Sequence, residues 1–278
     1  MTLARLDEVL REATAAGRGV GAFNVIQIEH AEALVAAAET TRLPVVLQIS
    51  ENAVRYHGVL APIALATKAI AERAEVPCVL HLDHAVSESL VDEAVELGFT
   101  SVMFDGSSLD DASNRERTRA VARRCHAAGV CVEAELGEIG GKNGVHAPGV
   151  RTDPAEAARF VADTGVDALA VAVGSSHAMT SRTAQIDLAL VAAIHASVPV
   201  PLVLHGSSGV PDADLVGAVE AGMTKINIAT HLNTVFTTAV RDHLRADPAV
   251  VDTRRYLGAG RAAVEDETIR LMSMLARR

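Results

Sequence analysis

Eight short apolar runs recur along the chain, each separated from the next by a helix-like stretch, and this repetition limits the fold more than any other feature. The runs are Gly19–Val25, Pro44–Ser50, Cys78–His84, Ser101–Asp105, Cys131–Leu136, Ala168–Gly174, Pro201–His205 and Lys225–Thr230. They are rich in Val, Leu and Ala without alternation, the pattern of strands buried on both faces. Amphipathic stretches lie between them, among them Glu29–Thr41, Ser87–Leu97, Asn114–Ala128, Pro154–Thr164 and Asp212–Ala221. Gly129, Gly165 and Gly222 stand just before the next strand, where a helix C-cap is needed. Eight βα units predict an α/β chain, a single (β/α)8 TIM barrel domain over residues 1–278. An extra N-terminal helix carries Leu3, Leu6, Val9 and Leu10 at helical spacing, and a helical tail follows the last strand. A doubly wound open sheet is the alternative, and no linker or second domain is expected.

Composition narrows the partners. The chain has 278 residues and a formal net charge of −10, which argues against nucleic acid and anionic membranes, since both need a basic face. It leaves anionic small molecules open, because a local cluster of donors binds phosphate on an acidic protein. No run approaches the ~18 apolar residues of a membrane span. Cys78, Cys125 and Cys131 are odd in number and form no C-x-x-C pair, so a reduced, cytoplasmic protein is expected.

What ends each strand carries the chemistry. Asn24 ends the first run, Ser50 the second, Asp83 and His84 the third, and Asp105 the fourth. Glu135 ends the fifth, His177 follows the sixth, His205 ends the seventh, and Asn227 with Thr230 closes the eighth. A barrel gathers these ends on one face, where its active site lies. Strand ends are often polar merely because water is near, but that accounts poorly for a functional group at every end. His84, His177 and His205 are candidate ligands of a catalytic zinc with an open fourth position, which polarises a carbonyl. Asp83 is placed either as a general acid–base beside the metal or as a carboxylate orienting a histidine. Asp105 and Glu135 are open to a second metal position, to orienting a ligand, or to a hydrogen-bond network at the barrel mouth. The turn His205-Gly206-Ser207-Ser208-Gly209 and the stretch Asn227–Thr230 have the character and place of a phosphate site. His30, His126, His195 and His243 fall in helices and are expected on the surface; His57, His146 and His231 sit in or beside loops.

The stretches GAFNV (21–25), HLDHA (81–85), MFDGS (103–107), EAELG (133–137), VGSSH (173–177), VLHGSSG (203–209) and KINIAT (225–230) together resemble the class II, zinc-dependent ketose-bisphosphate aldolases, in family order and over the whole barrel. The resemblance implies Zn2+ on His84, His177 and His205, with Asp83 protonating the aldehyde oxygen. It implies a second divalent metal or a monovalent cation, with Asp105 and Glu135 at the family's second, more buried position. Asn24, Gln48 and Ser50 would line the donor substrate, dihydroxyacetone phosphate. Gly206, Ser208, Asn227 and Thr230 would form the phosphate and ketose turns. Arg254, in DTRRYLG, resembles the arginine that a neighbouring subunit lends to the far phosphate of the substrate, which implies a homodimer or homotetramer. The reaction implied is reversible aldol cleavage of a fructose- or tagatose-type 1,6-bisphosphate.

Three stretches depart from the family pattern. Lys142 and Asn143 stand in the loop where the acid that moves the carbon-bound proton is expected, leaving Glu138 or His146 as substitutes. Ala178 and Arg182 replace a glycine and a phosphate-binding lysine, so Arg182 is the candidate phosphate grip. Ala229 replaces an aspartate frequent in fructose-preferring members and points to the tagatose side.

Overall fold

The computed structural model describes residues 3–137, 151–177 and 179–277. Among them the strands are β1 (Val20–Asn24), β2 (Val45–Ser50), β3 (Cys78–Ala85), β4 (Ser101–Phe104), β5 (Cys131–Leu136), β6 (Ala168–Val171), β7 (Leu202–Leu204) and β8 (Met223–Ile228). Each pairs in parallel with the next, and β1 pairs with β8 through Val20 to Phe23, closing the barrel. The helices are α1 (Leu6–Ala15), α2 (Ile28–Thr41), α3 (Glu51–His57), α4 (Ala61–Ala71), α5 (Glu88–Glu96), α6 (Asp111–Ala127), α7 (Pro154–Thr164), α8 (Leu188–Ser197), α9 (Asp212–Ala221), α10 (Thr230–Ala246) and α11 (Thr253–Leu275). The open-sheet alternative is thereby excluded.

Local chemistry sets where the helices after the strands begin. Ser50, Ser87, Asp110, Asp153 and Asp187 each cap a helix by accepting from backbone N–H groups of its first turn. The Asp110 cap starts α6 three residues before the expected Asn114, whose neighbours are too polar to show a helical period. Helices α3 and α4 were not among the stretches read from the sequence. Gly165 ends α7 at φ 71°, a left-handed position that costs glycine nothing.

Alternation is present, but it separates two kinds of interior rather than core from solvent. The residues pointing outward, such as Phe23, Leu47, Leu80, Val132, Leu204 and Ile226, form one aliphatic core beneath the helices. The inward series changes along each strand. At the N-terminal end Val20, Ala22, Val46, Val79, Cys131 and Val203 pack on Leu6, Val9, Leu10 and Ala13 of α1, which plugs that end of the barrel. Two residues further on, the same faces present Asn24, Gln48, His81, Glu133 and His205. The strand direction therefore carries the chain from an apolar floor to a polar mouth.

Some bounds differ from expectation. β6 stops at Val171, short of Gly174, whose φ of 122° turns the chain away. β8 begins two residues earlier than read and ends at Ile228, because Thr230 already opens α10. His30 is not a surface residue: it is 4 % exposed and packs on Phe236 at 5.1 Å between ring centroids.

Candidate active site

His84 leaves β3 at a bulge, where the β3–β4 register shifts between Leu82 and Ala85 and His84 itself takes φ 50°. A non-glycine residue in that region is strained, and such strain concentrates at functional sites. The twist aims its ring across the mouth at those of His205 and His177, whose centroids lie 4.5 and 4.9 Å away. Candidate ligand atoms of His84, His177, His205 and Glu135 all lie within 4.8 Å of one another.

The outer nitrogens of two of these rings are held by carboxylates. His84 Nδ1 is 2.8 Å from Asp105 Oδ2, and His205 Nε2 is 2.9 Å from Glu133 Oε1. A carboxylate only accepts, so each outer nitrogen carries the proton and each inner nitrogen presents a lone pair. Those inner atoms, His84 Nε2 and His205 Nδ1, face each other at 2.8 Å. A cation bound beside them would take up both lone pairs. The donor set of imidazoles plus one carboxylate suits zinc, so the residues fit the metal. Asp105 is itself held, its Oδ1 accepting from the Ser107 hydroxyl at 2.7 Å.

A second layer, missed by the sequence reading, lies directly below. Glu133 Oε2 is 2.9 Å from Lys225 Nζ, and His81 Nδ1 lies 2.8 Å from Ser101 Oγ; all four side chains are inaccessible to water. Burial, then the nearby Lys225 charge, drives His81 well below the usual histidine range, so it is neutral. The only signal was polar residues two positions before named site residues in HLDHA, EAELG and KINIAT.

Asp83 is 3 % exposed at the end of β3. It accepts from Asn24 at 3.5 Å and from Asn227 at 3.4 Å, while Gln48 donates to Asn24 at 2.7 Å. Ser50 lines the same pocket and caps α3, accepting from the Ala53 N–H at 3.2 Å. On the other wall stand Gly206, Ser208, Asn227 and Thr230. Gly206 is obligatory: at φ 67°, a Cβ would sit 2.6 Å from the Ser176 backbone beside His177. The whole cavity encloses about 570 Å³, in the range that holds a small metabolite.

Two arginines named from the sequence do not line this pocket. Arg182 donates to the Val210 carbonyl at 2.9 Å and pairs with Asp212, and it does not line the pocket. Asp212 also binds Arg270 at 2.7 Å, which binds Glu267, which in turn pairs with His231 at 2.6 Å. This chain ties α9, α10 and α11 behind the phosphate-type turns. Burial raises Glu267, but its bonds from Arg270 and His231 outweigh that and hold it at about 2. Arg254 is exposed at the start of α11 and paired with Asp252. Glu138, Lys142, Asn143, His146 and Ala178 lie outside the described residues.

A barrel with an acid beside a histidine cage at its C-terminal mouth has the groups to hold a metal ion, polarise a carbonyl and move a proton. The family model for class II fructose-bisphosphate aldolase matches residues 4–278. The chain is 39 % identical over 273 residues to a fructose-bisphosphate aldolase of Geobacillus stearothermophilus, covering 97 % of this chain and 95 % of that one. It is 40 % identical over 286 residues to that of Thermus caldophilus, covering 93 % of each. The crystal structure of the YdjI aldolase from Escherichia coli K12 superposes with a TM-score of 0.85 at 30 % identity, over 99 % of this chain and 97 % of that one. The chain belongs to the class II fructose-bisphosphate aldolase family and is an aldolase.

Proposed function

We propose that this aldolase is zinc-dependent and reversibly cleaves a ketose 1,6-bisphosphate to dihydroxyacetone phosphate and glyceraldehyde 3-phosphate. The observation that carries the reading is the pair of facing imidazole nitrogens, with His177 and Glu135 beside them and Asp83 at the rim. When bound by His84, His177 and His205, the ion supplies Lewis-acid polarisation of the ketose carbonyl. Asp105 and Glu133 fix the ring orientations so that no reorganisation is needed. Asp83, held by Asn24 and Asn227, moves the proton at the oxygen of C4. Gly206, Ser208 and Thr230 bind the phosphate of the dihydroxyacetone half through N–H and hydroxyl donors. Ala229 in the pocket wall supports the tagatose configuration, since it removes a polar contact to the sugar.

The same reading takes the protein to be a cytoplasmic homodimer or homotetramer. Three free buried cysteines support a reducing compartment. Arg254, exposed and outside its own pocket, supports a role toward a second copy. Among the described residues no helix is long and apolar enough to cross a membrane.

The test is exchange of the C3 proton of dihydroxyacetone phosphate in heavy water, with cleavage of fructose and tagatose 1,6-bisphosphates alongside. Zinc-loaded protein that neither exchanges nor cleaves would sink the reading. His205→Ala should abolish zinc binding and activity together, whereas His195→Ala, on the exposed side of α8, should leave both intact.

A further inference from the structure

We propose that the end of the barrel opposite the histidine cage carries a second binding site, for a small phosphate monoester, built on Arg18 and Arg42. The inference is independent of the aldolase reading. A separate cavity of about 220 Å³ opens there beside α1. Its walls include Val9, Ala13 and Val20 of the apolar floor, together with Leu43, Pro44 and Met272. Glu12, Arg18 and Arg42 are the charged residues of its described lining, so cations outnumber the acid by two to one.

Neither arginine is spent elsewhere. Among the described residues, the side chains of Arg18 and Arg42 make no ion pair and no hydrogen bond. Three helices, α1, α2 and α11, end around the cavity, and carbonyls at helix ends are acceptors that arginines ordinarily take. Here backbone N–H groups hold those carbonyls. The Arg18 N–H donates to Ala13 O at 2.9 Å, the Leu43 N–H to Ala38 O at 3.2 Å, and the Gly19 N–H to Leu275 O at 2.9 Å. The two guanidinium groups are left for something else.

Arg18 is half-buried, and its Nε is inaccessible to water and has no acceptor. A cation drawn partly out of water without a countercharge attracts an anion more strongly than one in bulk solvent. Arg42 adds the second charge from a left-handed backbone position, φ 53°, at the end of α2. Glycine or asparagine is usual there, and strain of this kind gathers at functional positions. Two guanidinium groups, each with about five N–H donors, suit the several oxygens of a phosphate better than the two of a carboxylate. The cavity is smaller than most metabolite sites, which limits the ligand to a small one. Its apolar walls favour a phosphate on a short apolar body over one on a hydroxylated sugar, so the ligand differs from the substrate bound at the cage.

The experiment titrates chelator-treated protein with inorganic phosphate and with n-butyl phosphate by calorimetry. It compares the unaltered chain with Arg18→Gln, Arg42→Gln and Glu12→Gln, melting curves verifying the fold; the differences isolate this site from the β7–β8 turns. Affinity should fall about 10-fold in Arg18→Gln, as loss of a charged hydrogen bond predicts, and less in Arg42→Gln, whose side chain is exposed. Glu12→Gln removes the acid and should tighten binding about 2- to 5-fold, a gain that a damaged fold does not produce. Butyl phosphate should bind more tightly than inorganic phosphate. Zinc-loaded variants should keep their cleavage activity in phosphate-free buffer. Affinities unaltered by the arginine substitutions overturn the proposal, as does a Glu12→Gln that binds no more tightly. Butyl phosphate bound no better than inorganic phosphate overturns the apolar body, and binding lost only together with activity or melting temperature overturns the site.

Discussion

Replacing Glu133 by glutamine should damage stability and metal binding by separate routes. Glu133 Oε2 sits 2.9 Å from Lys225 Nζ with both side chains fully buried, and its Oε1 sits 2.9 Å from His205 Nε2. Removing one partner of a buried pair leaves the other charge without compensation, which costs about 3–5 kcal/mol. Removing the carboxylate that orients a ligating imidazole weakens metal binding by about 10- to 100-fold. The double variant Glu133→Gln/Lys225→Met separates the two. It leaves no buried charge at this position, so most of the lost stability returns, but His205 still lacks its carboxylate and zinc binding stays weak. Urea unfolding in chelator reports the first quantity without metal linkage, and zinc titration against a competing chelator reports the second. A wild-type urea midpoint for Glu133→Gln, or zinc affinity that recovers together with stability, would refute the reasoning.

Other consequences follow from single contacts. Burial lowers His30 from 6.5 to about 4, against a smaller opposing effect of Glu29. Its contribution is therefore fully present above pH 6.5 and is lost as pH falls toward 4. Linkage gives a loss of about 2 kcal/mol by pH 5 relative to pH 7.5. His30→Leu should lack that loss in paired denaturation curves, and parallel curves would contradict it. Gly206→Ala should cost more than about 1 kcal/mol from the left-handed backbone alone. It should also weaken zinc binding by pushing Ser176 and His177 outward, so a variant with unaltered melting and zinc affinity would show the contact to be slack. Finally, calorimetry should find inorganic phosphate bound more tightly by zinc-loaded than by chelator-treated protein; equal affinities would exclude coupling between the two.

Barrel topology and the cage were readable because both leave linear traces. A βα repeat writes itself as apolar runs, and strand-end histidines fall at recognisable places in those runs. Glu133, Lys225 and His81 left no such trace, because a charge inside a strand looks like an interruption until a partner from another strand closes around it. Arg182 was misplaced for a related reason. Its sequence position beside His177 suggests the site, but Asp212, brought in by the start of α9, takes its guanidinium. His30 was judged from its helix alone, whereas packing against Phe236 of α10 covers the face it occupies. Helix α3 is a short element whose contribution lies in the polar groups of its pocket wall, which periodicity does not detect.

The acid excess of the chain acquires a local meaning at the mouth. Overall the formal charge is −10. In and around the cage Asp83, Asp105 and Glu135 stand against Arg55, while Glu133 and Lys225 cancel beneath them. With Glu51, the salt-bridge partner of Arg55, counted in, this mouth is strongly negative until a divalent ion joins it and only slightly so afterwards. In a partly buried site with an effective dielectric of about 20, a pair of unit charges at about 6 Å interacts by roughly 3 kcal/mol. That is enough to decide whether a phosphate dianion enters. The carboxylates that orient the cage thus repel the substrate until the cage is filled. A phosphorylated ligand should therefore bind more tightly once a divalent ion occupies the cage.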